Sequence, residues 1–280
     1  MTSTDPEEFK SDWLLKLERA KKHLHDLRVI HDQYLASAPF GAKLEERPDE
    51  LVWRLEVGSM PPQDLALTFG DAIHNMRSAL DCRVIAIAEK VAGERLSNSK
   101  LGMLSFILPE EPNFEKRSVE WVAALGLSGE AVTKCLRVFL PYGEPSEFWS
   151  FGDEHFPQDM RDATLKRLKR LIWLSNQDKH RRLNLLCFRP AGASYSFGGV
   201  SITWAQGLLT PGDIICSLSR ANGIDSGELN MKIDIDLRIE GAKAEGTFDF
   251  CDELENILYF VECSLQIMDF EEVRFLESKS

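Results

Sequence analysis

Apolar side chains near the start of the chain return at every third or fourth position: Phe9, Trp13, Leu17, Ala20, Leu24, Leu27 and Tyr34. That spacing draws one stripe along a coil of 3.6 residues per turn and predicts a helix over residues 7–37. Asp5-Pro6 supplies an N-cap with a first-turn proline, and Pro39 and Gly41 mark the exit. A second stripe, Leu65, Phe69, Ile73, Met76, Leu80, Val84, Ile87 and Val91, predicts a helix over residues 63–92 behind Pro61-Pro62. Ala72, Ala79 and Ala86 flank it, small enough for a neighbouring helix to come close. Asp71, His74, Asn75, Ser78, Asp81 and Cys82 gather on the opposite side, with Arg77 at its margin.

Shorter apolar runs punctuated by turn residues read as strands: 51–57, 103–108, 183–188, 194–204, 213–219 and 231–239. Ile233-Asp234-Ile235-Asp236-Leu237 alternates strictly, which predicts an antiparallel sheet with one wet face. Leu165, Leu168 and Ile172 give an inner face to a basic helix over 161–175. Leu254, Ile257, Leu258, Val261, Leu265 and Met268 do the same for a final helix over 250–276. Residues 113–140 read as helix in pieces, and 141–160 as an ordered loop rich in Pro, Gly and aromatics. The class expected is α+β: a long-helix bundle core, a small antiparallel sheet mainly from residues 183–240, and a C-terminal helix. A mainly helical region, 1–182, is expected to pack as one compact unit with a sheet-plus-helix region, 183–280.

Composition narrows the function classes. Hydrophobic content is 44% and charged content 28%, ordinary for a globular protein, and no apolar run nears the ~18–20 residues needed to span a bilayer. The six cysteines form no C-x-x-C pair, and with an acidic N-terminus this predicts reduced thiols in a cytoplasmic protein. The net charge of −12 is uneven: residues 191–280 carry −10, whereas 161–182 hold eight Lys or Arg against Asp162 and Asp178. Such a run attracts phosphates or an acidic partner, or is simply a solvated helix face. Phosphate-loop, dinucleotide-glycine and G-x-S-x-G signatures are missing, which disfavours those enzyme classes. Trp53, Trp121, Trp149, Trp173 and Trp204 are expected in the core. His23, His25 and His31 lack the i,i+4 pairing of a helical metal site and are expected at the surface. No metal or cofactor is expected.

Two polar blocks carry the candidate chemistry. In the first, His74, Arg77 and Asp81 stand at i, i+3 and i+7 and reach one neighbouring surface. His74 is a proton-transfer candidate, Arg77 a fork for phosphate or carboxylate, and Asp81 an orienting acid. The same spacing also makes Arg77–Asp81 a structural i,i+4 ion pair. The second block, Asn176-Gln177-Asp178-Lys179-His180-Arg181, is expected just past the basic helix, in the turn before a strand. There His180 is a second acid or base, Asp178 an orienting acid, and Lys179 and Arg181 stabilise negative charge. Asn75 and Asn176 complete the binding set. Otherwise Asn176 ends the helix and Asp178 makes a local turn bond.

The blocks Gly70-Asp71-x-x-His74-Asn75-x-Arg77-Ser78-Ala79-Leu80-Asp81 and Asn176-x-Asp178-Lys179-His180-Arg181 resemble an uncharacterised family of bacterial and phage proteins, over most of residues 60–270. More distantly, a helical arginine followed five positions later by histidine resembles the HEPN group of helical ribonucleases. Arg77 matches that arginine; Cys82 stands where the histidine belongs. The resemblance implies an RNA-binding or metal-independent RNA-cleaving module in a defence or toxin setting, dimeric, with His74 or His180 replacing the missing histidine. The rival expectation is a non-catalytic scaffold or small-ligand binder whose polar blocks are structural.

Overall fold

The computed structural model describes residues 11–108, 116–117, 119–120, 150–151, 154–155, 158–180, 186–195, 202–205, 209–220, 231–240 and 247–277. The protein is α+β, as the periodicities require. In chain order come α1 (Asp12–Ala36), β1 (Phe40–Glu46), β2 (Glu50–Val57), α2 (Gln63–Ala92) and α3 (Asn98–Leu101). They are followed by β3 (Ser150–Phe151), β4 (Glu154–His155) and α4 (Gln158–His180). Next are β5 (Leu186–Tyr195), β6 (Ile202–Trp204), β7 (Ile214–Ser219), β8 (Met231–Glu240), β9 (Thr247–Asp249) and α5 (Phe250–Glu277). Among the described residues, no helix is long and apolar enough to cross a membrane.

The chain divides into two compact units interleaved in sequence. One comprises residues 1–24, 70–180 and 254–280; the other comprises 25–69 and 181–253.

The first unit is mainly helical, with the short β3–β4 pair, and its core follows the predicted stripes. Leu17, Ala20 and Leu24 of α1, and Ile73, Met76, Leu80, Val84 and Ile87 of α2, are buried. So are Leu165 and Leu168 of α4 and Leu254, Ile257, Leu258, Val261, Leu265 and Met268 of α5. Ala72 and Ala79 are fully enclosed, as small flank residues should be. Charged side chains tie the helices together. Arg83 of α2 pairs with Asp269 of α5 at 2.5 Å and lies 5.5 Å from the ring centroid of Trp13 on α1. Lys21 pairs with Glu262. Helix α2 ends at Gly93, whose φ of 71° is the left-handed conformation that closes helices; its amide donates to the Glu89 carbonyl at 2.9 Å.

The second unit carries two antiparallel sheets, ordered β1-β2-β7-β6 and β5-β8-β9. The expectation of one sheet mainly from residues 183–240 is therefore corrected, because the four-stranded sheet takes half its strands from an early hairpin. In the register, Leu51 faces Leu218 and Trp53 faces Cys216, while Ile202 and Trp204 oppose the same two β7 residues. These rows make that sheet's core. Strand β2 is paired on both edges, and Leu51, Val52, Trp53 and Leu55 are all buried. Strand β1, Phe-Gly-Ala-Lys-Leu-Glu-Glu, was not predicted: it is an edge strand, where charges are tolerated and the apolar signal is thin. The alternating segment around Ile233 forms β8, antiparallel to both β5 and β9.

The sheet's charged rim gives a pH prediction. Glu45 accepts hydrogen bonds from Arg54 Nε at 2.6 Å and Arg47 Nε at 2.8 Å, while Arg47 Nη1 also donates to Glu50 at 2.7 Å. The Arg54 hydrogen bond, then that of Arg47, lowers the Glu45 carboxyl from its ordinary 4.5 to about 2. A carboxyl depressed by folding stabilises fully above its unfolded value, and that contribution fades as pH falls from about 4.5 toward 2. Thermal melts across this window should show a shallower acid loss for Glu45→Gln than for the wild type. High salt should narrow the difference, since the group is exposed. Superimposable acid profiles would show that the network adds nothing.

Two local readings are corrected, and a third agrees where residues are described. The 141–160 loop contains the β3–β4 hairpin and the start of α4. Among the described residues of 113–140, helix is seen at 116–117 and 119–120. His31, expected at the surface, is buried on α1 with Nδ1 3.3 Å from Asp32 Oδ1. It stands four residues from the fully buried Leu27 and three from buried Tyr34, on the stripe that packs inward.

Candidate functional site

Helix α2 presents its polar block much as the 100° spacing requires, but the partners of that block come from elsewhere. Residues 103–108, read as a strand, follow α3 without joining a sheet. Leu104, Phe106, Ile107 and Leu108 are all buried, so their backbone groups need partners other than water. Asp81 Oδ1 accepts from the Phe106 amide at 2.7 Å, and Arg77 Nη2 donates to the Phe106 carbonyl. In an extended chain the N–H and C=O of one residue lie on the same edge, where a neighbouring strand would bind both. Here two side chains four residues apart on a helix take that neighbour's place.

Arg77 and Asp81 also pair with each other, Nε to Oδ2 at 3.4 Å. The guanidinium carbon lies 5.8 Å from the Phe106 ring centroid, within cation–π range. Only 12% of the Arg77 side chain is exposed, and Nη1 is sealed from solvent. Two of its three nitrogens are engaged, Nη2 by the Phe106 carbonyl and Nε by Asp81, while Nη1 is buried without a hydrogen-bond partner among the described residues.

The other members of the first block separate. Asn75 is buried and its Nδ2 donates to the Asp71 carbonyl one turn back at 2.8 Å, which satisfies its amide locally. His74 is exposed, with Nε2 3.4 Å from Ser78 Oγ. Among the described residues, no group of three or more His, Cys, Asp or Glu is placed to hold a metal ion.

Cys82 is half-buried, and burial raises its thiol pKa above the ordinary value, followed by the charge of Asp12. Lys16 opposes the shift only in part. A raised thiol is mostly protonated near neutrality and a poor nucleophile. Cys216, inside the sheet core, is pushed up to about 12 by burial. Mass-resolved alkylation of the native protein near pH 7 should therefore modify both more slowly than an unstructured cysteine peptide. Rates at Cys82 equal to the peptide's would overturn that assignment.

The second block is placed differently from the expected turn. Helix α4 runs unbroken to His180, so the backbone of Asn176, Gln177, Asp178, Lys179 and His180 is helical. The expected turn is not found at 176–180, because nothing in Asn-Gln-Asp-Lys-His breaks a helix as Pro or Gly would. Asn176 is exposed; Arg181 lies outside the described residues. On the same helix the basic run is not a bare cationic face: Asp162, Arg167, Lys169 and Arg170 all engage partners, and Arg170 is buried. Among the described residues, the partners of Arg77 and Asp81 are each other and Phe106.

The pairing that sequence reasoning missed is the one with Phe106. Its signal is a buried-type run, Phe106-Ile107-Leu108, ending at Pro109 and too short to complete a sheet of its own. Comparison with protein-family models, curated proteins and solved structures finds no match to this chain.

Proposed function

We propose that the chain is a non-catalytic scaffold in which the α2 polar block is structural. The observation that supports this most directly is the pair of hydrogen bonds at the Phe106 backbone, its carbonyl accepting from Arg77 and its amide donating to Asp81. The residues best suited to clamp and orient a phosphate are already used to hold a buried segment. The supporting charge argument is that three cations of the basic helix, Arg167, Lys169 and Arg170, already have interactions of their own. Affinity for nucleic acid rests mainly on cations free to meet phosphates.

A second reading, an RNA-binding or metal-independent RNA-cleaving module, keeps one favourable observation: the His74 ring is exposed, with Nε2 beside Ser78 Oγ, where a substrate could reach it. One experiment separates the two. Mixed RNA is incubated with the wild type, His74→Ala, His180→Ala and Arg77→Ala, with and without EDTA, and each protein is melted in parallel. The scaffold reading expects intact RNA throughout and a depressed Tm for Arg77→Ala, with His74→Ala close to wild type. Chelation-resistant cleavage lost in His74→Ala or His180→Ala, with Tm unchanged, would replace it by the RNA reading.

A further inference from the structure

We draw no further inference here: the strongest candidate, the exposed apolar side chains of the sheet-bearing unit around the start of α2 (Met60, 66% exposed, and Leu67, 62%, with Leu44 on β1), is a surface patch for which nothing in the structure shows what covers it.

Discussion

Phe106→Ala is expected to destabilise the protein by about 3–5 kcal/mol, the loss typical of emptying a well-packed aromatic site. Phe106 is only 1% exposed and lies between buried Leu104 and the buried pair Ile107 and Leu108, so water does not readily fill the space left. The substitution also removes the ring beneath the Arg77 guanidinium. The backbone bonds to Arg77 and Asp81 use the amide and carbonyl of residue 106, which alanine retains. The loss therefore reports packing rather than the clamp. At roughly 2–4 °C per kcal/mol for a chain of this size class, Tm should fall by on the order of 10 °C. A loss below about 1 kcal/mol in denaturant titration would mean that residues 104–108 are not part of the core.

Asp81→Ala tests the clamp itself, and the expected loss is about 2–4 kcal/mol. It leaves the Phe106 amide buried without its acceptor and Arg77 without its counter-charge. The upper end of that range belongs to fully enclosed pairs; Asp81 is 30% exposed, which lets water recover part of the loss. Arg77→Met should cost a comparable amount, because it strands the Phe106 carbonyl and the Asp81 carboxylate. The decisive measurement is the double variant. Once one partner is gone, removing the other costs less, so the double loss should fall short of the summed single losses by about 1–3 kcal/mol. Strict additivity would show that the two side chains act independently and that the strand-like clamp is not a unit. A wild-type Tm in Arg77→Met would also undercut the scaffold reading, since it would leave that arginine without a structural duty.

The element order was legible because it rests on local periodicity. The α2 stripe predicted both its span and its buried members, from Leu65 to Ile87, and the α5 stripe did the same from Leu254 to Met268. An amphipathic helix of nearly thirty residues repeats its signal through many turns, so little else can accommodate it. The Arg77–Asp81 pairing was equally available, since i,i+4 neighbours are fixed by helix geometry alone. Strand β1 was missed although Phe40, Ala42 and Leu44 alternate with Gly41, Lys43 and Glu45: the alternation is short and weakly apolar, and the strand is fixed by its ladder to β2. The end of α4 was misplaced for a related reason, because Asn and Asp suit helix termini and helix interiors depend on context.

By itself the sequence determined which segments coil, which faces of them turn inward, and that an arginine and an aspartate would meet one turn apart on α2. Tertiary structure alone decided what that pair holds, that Asn75 and His31 would be enclosed, and that an early hairpin would join β7 and β6 in one sheet. The physical division is between interactions a few residues apart, which backbone geometry dictates, and those such as Asp81 with Phe106, 25 residues apart, which exist only once burial strips a distant peptide group of water and leaves it in need of a partner.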